Sequence, residues 1–108
     1  MAGASEERLA SLRELLADEP GDAFLSYSVA MQLKGLGRAQ EAAEEFARLV
    51  ERSPDYLASY YHYASVLHGL GQTERGLELA RRGQALAEAA GERHAASELA
   101  DLIDELDG

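Results

Sequence analysis

Three histidines, His62, His68 and His94, are the side chains of this 108-residue chain best suited to holding a metal ion or relaying a proton. Ligands on one helix must stand three or four residues apart to share a face. His62 and His68 stand six apart, and no carboxylate fills a bridging offset between them. Neither a metal site nor a cofactor is expected. Nucleophilic chemistry is no better supplied: Ser59, Ser65 and the tyrosines lack a base and an orienting acid in series. Nucleophile-elbow, phosphate-loop and dinucleotide fingerprints are absent. The paired carboxylates Glu6-Glu7 and Glu44-Glu45 read as solvated helix exteriors, where nothing desolvates a carboxyl group enough to tune it for acid–base work. Catalysis is not expected.

Composition narrows the remaining classes. Apolar residues make up 46% and charged residues 28%, enough for a packed core in one domain. No cysteine is present, which removes disulfide scaffolds and thiolate zinc sites. The start, Met1-Ala2-Gly3-Ala4-Ser5-Glu6-Glu7, has neither a basic beginning nor an apolar run, and no uncharged stretch reaches the ~18 residues of a membrane helix. A cytoplasmic protein is expected, with no membrane contact. Twenty acidic residues against ten basic ones give a net charge of −10, a field that repels nucleic-acid backbones. That acidity could select a basic partner. Solubility or a proteome-wide bias in a salt-adapted organism explains it more economically, since Lys34 is the only lysine while arginines recur.

The chain matches itself at an offset of 34 residues. In that register Tyr27 meets Tyr61, Ala30 meets Ala64, Leu33 meets Leu67, Gly35 meets Gly69, Leu36 meets Leu70 and Gly37 meets Gly71. Pro20 meets Pro54, Glu44 meets Glu78 and Arg48 meets Arg82. Such a period marks stacked supersecondary units that bury their apolar faces on one another. The spacing predicts two helices per unit, over 22–55 and 56–90. Asp22 is a candidate N-cap, and Leu25, Val29, Leu33 and Leu36 follow helical spacing up to Gly35 and Gly37. The return helix sets Ala39, Ala42, Ala43, Phe46, Leu49 and Val50 inward and Arg38, Glu41, Glu44, Glu45, Arg48 and Glu51 outward, until Ser53-Pro54-Asp55 stops it.

In the second unit Tyr56, Tyr60, Tyr63, Ala64 and Leu67 form the stripe, and a return helix runs from about Thr73 to about Ala90. It contains Gly76 and Gly83, each costing roughly 1 kcal/mol against alanine in a helix interior. That cost suits a close helix approach, so both are expected to face inward. A helix over 5–19 carries Leu9, Leu12, Leu15 and Leu16 as an apolar seam and fits the register as the second half of an earlier unit. Another over 92–107 sets Ala95, Ala96, Leu99, Leu102, Ile103 and Leu106 against an acidic outer face, as a capping helix should.

These residues resemble the tetratricopeptide repeat. The small residues Ala30 and Ala64, the turn glycines Gly37 and Gly71, the Ala42–Phe46 pair and the closing Pro54 all match its pattern. Ser26 departs from it where a large aromatic is usual, as do Gly76, Ala80 and the missing proline after the second unit. The resemblance implies an all-α, right-handed superhelix of about six helices in antiparallel pairs. Its first helices would line a concave groove that binds peptides or protein segments.

Helical geometry assigns the groove residues. With Ala30 and Leu33 inward, Phe24, Tyr27, Met31 and Lys34 share an adjacent face, and Ala58, Tyr61, Ser65 and His68 share the matching one. Tyrosine offers rigid contact area and methionine adaptable packing. Tyr27 and Tyr61 are read as groove residues lying side by side, whereas Phe24 is read more readily as core. The lone cation Lys34 disfavours a carboxylate clamp, and an aromatic groove rimmed by acid favours an amphipathic or basic segment. His62 is read as solvent-facing or inter-helix. Self-association as a homodimer through an under-capped N-terminal edge is the alternative. A small-ligand carrier or enzyme would need a deep pocket near His62 or His68.

Overall fold

The computed structural model describes residues 3–108. Met1 and Ala2, which open the segment read as lacking a secretory signal, lie outside the described residues. Among the described residues six helices follow one another: α1 (Glu6–Asp18), α2 (Ala23–Gly35), α3 (Ala39–Arg52), α4 (Ala58–Gly69), α5 (Thr73–Ala89) and α6 (Arg93–Asp107). No strand occurs among the described residues.

Local chemistry sets these boundaries. The Ser5 hydroxyl accepts a hydrogen bond from the Arg8 N–H, and the Asp22 carboxylate accepts one from the Leu25 N–H, so α1 and α2 open on side-chain caps. Three turns then repeat one geometry. Gly37, Gly71 and Gly91 have φ of 77°, 80° and 73°, in the left-handed region where glycine alone is unstrained. Beyond each, an N–H reaches back to an orphan carbonyl: Arg38 to Leu33, Gln72 to Leu67 and Glu92 to Ala87. Thus Gly37 and Gly71 make the turns, while Gly35 and Gly69 are still helical. The third turn, ending at Gly91, falls outside the period of 34.

Packing follows the predicted stripes. Val29, Ala30 and Leu33 of α2, Ala42, Phe46 and Leu49 of α3, and Tyr60, Ala64 and Leu67 of α4 are all buried. Leu77, Leu79 and Ala80 of α5 join them, with Leu99, Leu102 and Leu106 of α6. Both glycines of α5 face inward, as expected. A Cβ on Gly83 would stand 2.5 Å from Tyr60 Cβ, and one on Gly76 would stand 2.9 Å from the Ala64 carbonyl oxygen. Each glycine lets α5 lie against α4 at a distance no side chain would allow.

Three sequence expectations need correction. Glu45 is not solvated: it is 8% exposed and accepts hydrogen bonds from Ser26 Oγ at 2.6 Å and Arg48 Nη2 at 2.8 Å. The second unit has Tyr60 and Leu79 at the corresponding places, both buried. A hydroxyl–carboxylate pair has therefore replaced an aromatic–aliphatic one, which accounts for the unusual Ser26. Leu15 is 52% exposed, so the α1 seam narrows to Leu9, with Leu12 and Leu16 half-buried. Phe24, read as core, is 63% exposed, because in the first turn of α2 it falls on the face it shares with Tyr27 and Met31 and not on the buried stripe of Val29, Ala30 and Leu33.

The helices form two layers. First helices adjoin, α2 against α4 and α4 against α6, whereas no Cα of α3 comes within 8 Å of any in α5. Close first helices and splayed return helices give the stack an inner face and an outer one.

Candidate functional site

The inner face collects the residues singled out from the sequence. On α2, Phe24, Tyr27, Met31 and Lys34 recur at the three- and four-residue spacing that keeps one helix face in view. Tyr61, Ser65 and His68 do the same on α4. Tyr27, Met31 and Tyr61 are half-buried against the core, Lys34 and Ser65 are also half-buried, and His68 is exposed. The imidazole of His68 lies 2.9 Å from Thr73 Oγ1 across the turn into α5.

Tyr27 and Tyr61 stand on the same side of the molecule with His62 between them. The His62 ring centroid is 6.0 Å from that of Tyr27 and 5.3 Å from that of Tyr61, edge-on to both. Tyr27 is braced from behind by Phe46 at 6.5 Å and Tyr56 at 5.5 Å. Phe46 in turn stacks on Tyr63 at 5.9 Å, so the return helix α3 wedges an aromatic row between α2 and α4. The inner surface is therefore rigidly backed where the two tyrosines meet it.

His62 is the residue that spacing alone left undecided, and it proves to be inter-helix. Lys34 Nζ lies 3.1 Å from His62 Nδ1. An ammonium can only donate, so Nδ1 must accept and the ring is neutral with its proton on Nε2. Burial pushes the His62 imidazole below its ordinary range, the Lys34 charge adds to that, and Glu98 of α6 opposes it. Burial likewise lowers the Lys34 ammonium, and it raises the Tyr27 phenol with a smaller contribution from Tyr56. The pair straddles 28 residues of sequence and depends on how far α2 leans toward α4, an angle the 34-residue period does not encode.

A depression of about 320 Å³ lies on the outer side between α3 and α5, and another lies between α3 and α4; neither is lined by His62 or His68. Among the described residues no three histidine, aspartate or glutamate side chains converge as metal ligands, and no helix is long and apolar enough to cross a membrane. What the inner face offers is a ridge of aromatic, thioether, ammonium and imidazole groups, which suits contact with another polypeptide.

The stacked helix pairs define a helical-repeat protein. A tetratricopeptide-repeat domain protein from Salinibacter ruber has 30% sequence identity to the chain, over 82% of this chain and 90% of that one, with a TM-score of 0.78. The chain belongs to the tetratricopeptide-repeat family. Two more distant structures share the fold. The TPR2B domain of yeast Sti1, in its complex with pHsp70, superposes with a TM-score of 0.86 at 18% identity, covering 92% of this chain and 79% of that one. PcrH, in complex with the chaperone-binding region of PopD, gives 0.87 at 14% identity, covering 94% and 77%. No protein-family model matches the sequence, and no curated protein matches it.

Proposed function

We propose that the chain is a non-enzymatic scaffold that holds a peptide or protein segment on the inner face of α2, α4 and α6. The observation that carries this reading is the continuous row Phe24, Tyr27, Met31 and Lys34 beside Tyr61, His62, Ser65 and His68. Phe24 is a large aromatic left 63% exposed at one end of that row, in a chain whose other aromatics are packed. Exposing that ring to water is unfavourable, and a partner's apolar side chain would relieve it. Sti1 and PcrH, which share the fold, are each seen with a polypeptide partner, and that supports the class of ligand. The segment expected is amphipathic, with apolar groups for the Phe24–Tyr27–Met31 end. The cytoplasm is the proposed place of work, on the composition given above.

The test is affinity capture from the native cell extract with the wild type and with Phe24→Glu plus Met31→Glu. Both changes are on the inner face and leave the Phe46 row intact, which circular dichroism would verify. The wild type should retain partners that the variant loses; equal recovery of every partner removes the reading.

A second reading, self-association through α1, is favoured by Leu15, 52% exposed on a helix whose close backbone neighbour is α2. Sedimentation at several concentrations decides it, since a strict monomer eliminates the dimer.

A further inference from the structure

The outer trench between α3 and α5 carries a chemistry that the repeat pattern does not require. Its main cavity, about 320 Å³, is lined by Ala47, Val50, Glu51 and Pro54 of the α3 side, Tyr63 beneath, and Arg75 and Arg82 of α5. A shallower depression shares Ala47 and Tyr63 with it and runs past Glu44 toward Gln72, so the cationic part of the trench is confined to the main cavity. In a chain of net charge −10, this cavity holds two guanidinium groups against one carboxylate.

The two repeats show how that local excess arose. Arg48 and Arg82 occupy the same place in their units, and Arg48 pairs with Glu45 one turn earlier at 2.8 Å. The corresponding neighbour of Arg82 is Leu79, which is buried, so the second unit keeps the arginine without its acid. Among the described residues Arg82 makes no ion pair; its guanidinium carbon lies 5.7 Å from the centre of the Tyr60 ring, which steadies it at the cavity edge. A second exchange reinforces the first, because Arg75 stands where the first unit has Glu41. Arg75 is paired with Glu78 on the solvent side. Glu51 faces both arginines from the α3 wall and lies beyond ion-pair distance of either.

We propose that this trench is a second binding site, distinct from the inner face, that receives the carboxylate side chains of an acidic polypeptide segment. Arg82 is the anchor and Arg75 the second cation, seven residues away on the same helix face. A planar guanidinium matches a carboxylate through two parallel hydrogen bonds, which a steadied arginine makes with less loss of freedom. The small apolar wall of Ala47 and Val50 accommodates the methylene stem of a glutamate. Long-range repulsion by the acidic chain is screened beyond about 8 Å at physiological salt, so at contact the unpaired Arg82 carries the attraction, with Arg75 shared with Glu78.

The test uses the whole chain, labelled with nitrogen-15, titrated with N-acetylated tetraglutamate amide in about 0.15 M salt. Amide shifts should cluster at Ala47, Glu51, Arg75 and Arg82. Arg82→Gln should weaken binding about 10-fold, the loss of one charge-assisted contact, and Glu51→Gln should strengthen it by removing the opposing carboxylate. Phe24→Glu plus Met31→Glu, on the inner face, should leave it unchanged. Shifts scattered over the surface, an Arg82→Gln variant that binds as well as the wild type, or inorganic phosphate giving the stronger localised response would each overturn the assignment.

Discussion

The His62 imidazole accepts a hydrogen bond from Lys34 only while neutral, and that sets how the protein should respond to pH. Its pKa is lowered in the fold, by burial first and by Lys34 second. The unfolded chain therefore takes up a proton before the folded one does. The stability that His62 contributes is present above its unfolded value of about 6.5 and is lost as pH falls from there through the lower folded value. Melting temperature should decline in that window for the wild type and decline less for His62→Gln; identical profiles would show that the pair is not linked to folding. Tyr27, Met31 and Tyr61 were legible through their spacing, because helical geometry fixes a shared face. Spacing left His62 open and misplaced Phe24 and Glu45. Those three depend on contacts across helices, or on their absence: Lys34 meets His62, Ser26 meets Glu45, and nothing covers Phe24.

Among the helices, α5 tests the packing account most sharply. Alanine usually favours a helix interior by about 1 kcal/mol over glycine. At Gly83 the added methyl would press on Tyr60 Cβ and Cγ at 2.5 and 2.8 Å, atoms near the root of a buried side chain that cannot swing away. Gly83→Ala should lower stability by roughly 1–3 kcal/mol, the cost of overpacking. Gly69→Ala, helical and with open space around it, should raise stability by up to about 1 kcal/mol. Denaturant unfolding of the two variants checks both signs, and a stabilised Gly83→Ala would mean that α5 does not need its close approach. The inward glycines were legible because two costly residues on an otherwise regular helix demand a packing reason. The narrow buried seam of α1 was less so, since four leucines at helical spacing do not say how wide a surface faces them.

At the scale of the whole molecule, the two layers were implied by the resemblance to tetratricopeptide repeats, while the period of 34 fixed the order of the paired helices and the turns at Gly37 and Gly71, because each unit can bury its stripe only on the next. Curvature was beyond its reach; it depends on the splay that keeps α3 and α5 apart while α2, α4 and α6 adjoin. A net charge of −10 on so small a body predicts that added sodium chloride raises the melting temperature, as screening relieves self-repulsion more than it weakens the exposed ion pairs. A flat or falling trend would show that those pairs matter more. The most direct test of the central claim, that the inner face holds a partner, is photo-crosslinking in the native cell extract. A photo-reactive amino acid would replace Phe24 on the inner face in one sample and Glu88, exposed on the return helix α5, in another. The account predicts partner adducts from position 24 and none from position 88. Adducts from position 88 alone would contradict it.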